Sequence, residues 1–267
     1  MARRFALGRQ GRSFASARGV WGKIPAPMIL RRGLIRPGFH TTDSGAVAAV
    51  AFPTVTGLQY RWRADEGVTG DPVTAWATVS DSPSSKTLTG TGADFGATDG
   101  PNGTPAITFD GSNDQLVGTL TIAQPFHICY VMQQVTWTAN DRIMEIRTDG
   151  NALIRQRQSG GVGAYEIRHS FGLGGKNMVN PTDALWHAYE CFGSGAASYQ
   201  ELDGTRVSGE NPGTDGMTAL SLASTYAGGN YANIAFAEIF LLDQDLDAGE
   251  RANVETYMNS RYDITFA

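Results

Sequence analysis

Five Asp-Gly pairs, at 99–100, 110–111, 149–150, 203–204 and 215–216, constrain this chain more than any other feature. Asp-Gly supplies the positive φ angles of a two-residue hairpin turn, and between alternating apolar runs it marks neighbouring antiparallel strands. Three pairs have such flanks: "AITF-DG-SNDQLVG", "IMEIRT-DG-NALIRQR" and "ASYQEL-DG-TRVSG". From residue 57 onward, short strand-like runs alternate with turns every ~8–12 residues, the spacing of a sandwich or barrel. Two segments, "PFHICYVMQQVTW" and "AFAEIFLL", are apolar on both faces, as strands covered on two sides are. No repeat of solenoid or propeller length is present.

One stretch breaks the β pattern. In "FLLDQDLDAGERANVETYMNSRY" (240–262), Asp247 is placed to cap a helix, and Glu250 three residues later completes a capping-box arrangement. Val254, Tyr257, Met258 and Tyr262 then share one narrow stripe at helical spacing. The spacing predicts a helix at about 248–260, anchored by one face on the outside of the β-body directly after the strand at 235–242.

The opposite end differs in charge. The net charge of −5 hides a basic segment of nine cations before Asp43: Arg3, Arg4, Arg9, Arg12, Arg18, Lys23, Arg31, Arg32 and Arg36. Removing those nine from 21 basic residues leaves 12 against all 26 acidic ones, an excess of fourteen negative charges in the remainder. Residues 1–45 have neither strand nor helix periodicity, and Pro25, Pro27 and Pro37 favour extended backbone. Yet Trp21, Met28, Ile29, Leu30, Leu34, Ile35 and Phe39 are unsuited to a solvated linker. The segment is read as an arm that orders against a partner; a flexible tail, or a strap on its own body, is the alternative. No apolar core of a signal peptide follows the arginines, so export through that route is not expected, while arginine and serine without acids also fit a mitochondrial transit peptide. The most apolar patch, 46–52, falls far short of the ~18–20 residues of a membrane span, and no membrane partner is expected.

Four motifs occur in order. "LQYRWRADEGVTGDPVTAWATVSDS" places an apolar-Trp-Arg-Ala-Asp segment before a Trp and an Asp-Ser turn, and "NGTPAITFDGSNDQLVG" ends a strand in Phe-Asp-Gly. "LWHAYECFGSGAASYQELDGTRVSG" adds a Trp strand and an Asp-Gly hairpin, and "FAEIFLLDQDLDAGERANVETYMNSRYDI" closes with strand and helix. Together, over about residues 57–264, they resemble laminin-G-like, concanavalin A-like jelly-roll modules of the kind found in bacteriophages and bacteria. The resemblance implies a mainly β fold: a two-sheet antiparallel jelly-roll sandwich with one C-terminal surface helix, preceded by an extended N-terminal arm. The expected division is arm 1–45 and sandwich 46–267. The fold itself hosts lectins, hydrolases and structural modules, so it leaves function open.

The chemical motifs are sparse. Some relatives of this fold hydrolyse glycans with acids alternating along a strand, two carboxylates flanking the scissile bond. Here the only Glu-x-Asp is Glu201-Leu202-Asp203, continued by Gly204, Thr205 and Arg206; the third acid is missing, and Asp203 is explained by its turn. The expectation is therefore no enzymatic activity. His40, His127, His169 and His187 form no HExxH pattern, and Cys129 and Cys191, both in expected strands, have no metal-ligand spacing. No GxSxG elbow exists, and "GLGGKNM" (172–178) lacks both the first glycine and the Ser or Thr of a phosphate loop. Asp110, Asn113 and Asp114 offer oxygens for the calcium that some family members bind, but tight turns favour the same residues. Trp137, Tyr226 and Tyr231 are candidates for stacking on sugars, against a packing role.

The resulting expectation is a bacteriophage virion structural protein without cofactor, assembled in the host cytoplasm. A jelly-roll module is displayed on a capsid or tail and held by the arm. The partner-binding residues are Arg3, Arg4, Arg9, Arg12, Arg18, Trp21, Arg31, Arg32 and Arg36. The partners are other virion proteins and a cell-surface glycan. Nucleic acid is disfavoured because proline-spaced aliphatic residues add little there, and self-association is open. The alternative is a secreted or surface carbohydrate-binding lectin.

Overall fold

The computed structural model describes residues 50–158, 165–172, 175–179, 184–209 and 211–267. All nine arm residues assigned to partner binding lie outside them. The described body is two antiparallel sheets face to face with one helix outside.

The first sheet runs in the order β15 (Thr205–Ser208), β14 (Tyr199–Leu202), β13 (Trp186–Gly193), β8 (Phe126–Thr136), β17 (Asn233–Leu242), β6 (Ala106–Asp110) and β5 (Asp94–Gly96). An eighth strand, β1 (Leu58–Arg63), also pairs with β17. Both β6 and β1 use the same edge of β17, β6 along Asn233–Phe236 and β1 along Glu238–Leu242. The second sheet runs β12 (Lys176–Val179), β11 (Tyr165–Phe171), β10 (Ala152–Gln158), β9 (Arg142–Glu145), β16 (Met217–Leu222), β7 (Gln115–Ile122), β4 (Thr87–Thr91), β3 (Ala75–Ala77) and β2 (Val68–Thr69).

Alternation along β8 and β17 explains why both read as apolar on two faces. Phe126, Ile128, Tyr130 and Met132 point between the sheets with Ile234, Phe236, Ile239 and Leu241. Cys129 and Val131 point the other way, with Ala237, Phe240 and Leu242, into a second cluster beneath the helix α1 (Ala248–Tyr262). The helix contributes Val254, Tyr257, Met258 and Tyr262 to that cluster, the stripe expected from the sequence. Its capping box forms as expected: Asp247 Oδ1 accepts from the Glu250 N–H at 2.8 Å, and Glu250 Oε2 accepts from the Asp247 N–H at 3.1 Å. Glu250 Oε1 also accepts from the Thr56 N–H at 2.6 Å, tying the helix start to the chain entering β1.

The Asp-Gly turns divide. Asp203 and Gly204 (φ 46 and 84) close the two-residue hairpin β14–β15, and β9 pairs with β10 across the loop holding Asp149-Gly150. Asp110-Gly111 is not a hairpin. It turns the corner from β6 in one sheet to β7 in the other, closed by Asp114 Oδ2 accepting from the Asp110 N–H at 2.8 Å. Both its flanking strands present residues to the same inter-sheet core, Phe109 and Leu116, which local alternation alone cannot distinguish from a hairpin.

Candidate functional site

Arg61, immediately before the Trp62-Arg63-Ala64-Asp65 motif, and Asp65, at its end, latch the sandwich to the helix. Trp62 points into the core, so its neighbour Arg61 points outward beneath α1, where it is fully buried. Arg61 Nε donates to Glu238 Oε1 at 2.5 Å, Nη1 to Asp81 Oδ2 at 2.7 Å and Nη2 to the Tyr257 hydroxyl at 2.7 Å. Glu238 Oε2 in turn accepts from the hydroxyls of Tyr257 at 2.7 Å and Tyr262 at 2.6 Å. Phe52 covers the guanidinium at 4.0 Å. Burial works to lower the Arg61 pKa, but Glu238, Tyr257 and Asp81 outweigh it and the net direction is up. From the last turn of the helix, Arg261 Nη2 reaches Asp65 Oδ2 at 2.6 Å. Within the motif Arg63 donates to Asp65 and, at 3.2 Å, to Glu66 Oε2, so Asp65 carries the motif's charged contact with the helix, through Arg261.

A second polar centre lies farther along the same face. Arg251 of α1 pairs with Glu190 of β13, and it donates to the Tyr199 hydroxyl at 2.5 Å and to Asp245 Oδ1 at 3.1 Å. His127 of β8 sits beside them, Nε2 at 3.2 Å from Glu190 and Nδ1 at 3.4 Å from Asp245. Burial pushes the Glu190 pKa up, while His127 and Arg251 pull it down further, and the net direction is down. Glu201, directly opposite Glu190 in the sheet, accepts from Arg206 Nε at 2.8 Å.

A cleft of about 470 Å³ opens where the two sheets part. Met178 of β12 contributes from one sheet; Leu202, Thr205 and Val207 of the β14–β15 hairpin contribute from the other. Thr265, Phe266 and Ala267 run past the turn, held by the Ala267 N–H donating to the Asp203 carbonyl at 2.9 Å. Asp203, on the cleft wall, accepts from the Ala188 N–H at 2.8 Å and lies 2.5 Å from His187 Nδ1. The result is an apolar floor with one ring, one carboxylate and threonine hydroxyls at the rim. That combination suits a small ligand with an apolar face and hydrogen-bonding edges, and the volume is that of a small-molecule site. A second recess of about 320 Å³ includes Gln59, Gln124 and Asp243, but its amides already tie loops together. Gln124 Nε2 donates to the carbonyls of Gly213 and Asp215, and Gln59 Nε2 donates to Asp243.

The candidates named from sequence separate accordingly. Asp110 and Asp114 spend oxygens on backbone N–H groups of their own turn, including the Ser112 N–H at 2.7 Å, as the turn reading expects. Burial, then the charges of Asp110 and Asp94, push the Asp114 pKa up. Trp137 packs partly buried against the core. Tyr226 is held through its N–H by Glu145 Oε2 at 2.7 Å. Cys129 and Cys191 are both buried free thiols, on opposite faces of the first sheet. Glu201 and Asp203 do not converge: one faces Arg206 and Arg251, the other His187. The cleft was missed because its walls come from three stretches distant in sequence.

No protein-family model matches the chain, and no curated protein does. Solved structures do. A Trypanosoma rangeli sialidase in complex with sialic acid matches with a TM-score of 0.57 and 11% identity, over 79% of this chain and 34% of that one. Domain 4 of a GH43 extracellular arabinanase from Geobacillus stearothermophilus, in complex with arabinotriose, matches with a TM-score of 0.55 and 13% identity, over 76% of this chain and 99% of that one. The binding domain of Botulinum Neurotoxin DC in complex with SialylT matches at 0.51 and 7%, over 77% and 52%. The chain thus spans about a third of the length of the sialidase. The likeness is one of fold, in agreement with a concanavalin A-like jelly-roll sandwich. It also overturns the expectation that the chain is not an enzyme. The same sandwich occurs within a sialidase and a glycoside hydrolase, so the missing acid triplet does not set this chain apart from enzymes.

Proposed function

We propose that this chain is a glycan-binding jelly-roll module carried on a bacteriophage particle, with residues 1–45 as its attachment device. The observation that carries the glycan reading is the fold shared with structures solved around sialic acid, arabinotriose and SialylT. The cleft beside Asp203 supports it. Phe266, Leu202 and Val207 offer apolar surface for the C–H face of a sugar, while Asp203, Thr205 and Thr265 offer partners for its hydroxyls. The virion reading is supported by the sequence. Nine cations without an acid, interleaved with aliphatic residues, precede a body carrying fourteen excess negative charges. Such an arm is suited to an acidic, partly apolar groove of a neighbouring protein, where arginine forks pair bidentately with carboxylates.

Probing a glycan array with the full chain tests the first half. Selective binding that Phe266→Ala and Asp203→Asn both weaken is expected; a blank array, or binding indifferent to both, refutes it. Deleting residues 1–45 tests the second. The truncated protein is expected to stay folded but to be lost from purified particles, and full occupancy without the arm refutes attachment. The second reading, a secreted lectin, is favoured by the neighbour from an extracellular arabinanase. Glycan binding together with absence from particles by mass spectrometry would select it.

A further inference from the structure

We propose that His127, Cys129 and Glu190 form a binding site for one divalent transition-metal ion of the zinc class, beneath α1. Their ligand atoms lie within 4.8 Å of one another, and they make the one such group among the described residues. The sheet brings them together: His127 and Cys129, two residues apart on β8, point to the same outer face, and Glu190 stands opposite Cys129 on β13. His-x-Cys on one strand with a carboxylate on the next makes a three-point site that no spacing rule for zinc motifs would find.

The donor atoms are unusually idle for their depth. His127 and Glu190 are 0% and 2% exposed, yet Glu190 Oε1 has no hydrogen-bond partner and the imidazole nitrogens meet Glu190 and Asp245 only as ion-pair approaches without hydrogen-bond geometry. Leaving buried polar atoms without hydrogen bonds is costly, and a cation would satisfy all three residues at once. The surroundings fit. Arg251 engages Glu190 Oε2 and leaves Oε1 free for the ion. Asp245 Oδ1, 3.4 Å from His127 Nδ1, is placed to orient the ring while Nε2 ligates. Charge points the same way. Glu190, Glu201, Asp245 and Glu255 are set against Arg251 and Arg206, an excess of two acids. One nitrogen, one sulfur and one oxygen select zinc or a neighbour in the first transition row over magnesium or calcium.

The full chain, stripped with a chelator and dialysed, is titrated with Co²⁺ as the spectroscopic probe. Saturation at one ion per chain is expected, with the intense visible bands of a tetrahedral site, a near-ultraviolet thiolate-to-cobalt band, and displacement by Zn²⁺. Cys129→Ser should lose the thiolate band. Cys191→Ser, altered on the opposite face of the sheet, should keep it. No saturable spectrum, a spectrum without thiolate character, or a band that survives Cys129→Ser overturns the site.

Discussion

Replacing Arg61 with methionine should unlatch the helix, and the structure sets the size of the effect. Glu238 is fully buried and receives its strongest contact, at 2.5 Å, from the Arg61 guanidinium. Methionine retains most of the volume but leaves that carboxylate with only the hydroxyls of Tyr257 and Tyr262. Removing one partner of a buried ion pair costs about 3–5 kcal/mol, because the other charge stays behind without compensation. The lost contact with Asp81 adds little, since that side chain is 55% exposed. For a domain of this size about 1 kcal/mol moves the melting temperature by 2–4 °C, so a fall of roughly 6–20 °C is expected. Adding Glu238→Gln to Arg61→Met removes the stranded charge and should recover part of the loss, a strongly non-additive pair. Thermal unfolding followed by near-ultraviolet circular dichroism, for the two single variants and the double, measures all three. A drop below about 2 °C for Arg61→Met, or a double variant as damaged as the sum of the singles, would refute the latch.

Asp247→Ala removes the cap of α1 and should cost about 0.5–2 kcal/mol in a denaturant titration, with the fold retained. Gly204 has φ +84, and a Cβ there would stand 2.9 Å from the Ala267 nitrogen, so Gly204→Ala should cost more than about 1 kcal/mol and loosen the tail beside the cleft, read as faster amide exchange at Ala267. Burial pushes the His169 imidazole down from 6.5 to about 3, so the folded chain keeps it neutral while the unfolded chain takes up a proton below about pH 6.5. Its contribution is complete above pH 6.5 and is lost as pH falls toward 3, by up to about 1.4 kcal/mol per unit. His169→Leu should flatten that part of the stability–pH curve, and an unchanged slope would show that the ring titrates normally.

What the sequence disclosed follows from the range of the interactions involved. The helix was legible to within two residues because a capping box and a 3.6-residue stripe are local. The β14–β15 turn was legible because Asp-Gly settles its own backbone. Asp110-Gly111 misled for the same reason: a positive φ reports a turn, while hairpin or corner is decided by which sheet receives β7. Glu238 lay unnoticed inside "AFAEIFLL", since one acid hardly alters an apolar strand and its partners, Arg61, Tyr257 and Tyr262, are 177, 19 and 24 residues away. The proposed metal ligands were passed over because zinc motifs are recognised along one chain segment, whereas Glu190 meets Cys129 only across the ladder. The arm lies outside the described residues.

The outer face of the first sheet shows how apolar and charged groups divide the work of docking one helix. Val131, Ala237, Phe240 and Leu242 provide the burial that draws α1 down, but an apolar surface tolerates sliding. The hydroxyls of Tyr257 and Tyr262 on the Arg61–Glu238 pair at one place and Arg251 with Glu190 at another are directional, and each is satisfied in one register only. A buried ion pair adds little net stability over a well-packed apolar one, so its value here lies in specifying position. The strand-then-helix ending and the stretch from Arg61 through the Trp-Arg-Ala-Asp motif are thus two halves of one mechanical device, and finding both in a sequence reports fold. Functional differences must then reside where the device leaves the chain free to vary: the cleft wall formed by the β14–β15 hairpin and the tail behind the helix, and the arm before β1. Exchanging the hairpin's Thr205 and Val207 should therefore change what the module binds without moving its melting temperature by more than a few degrees.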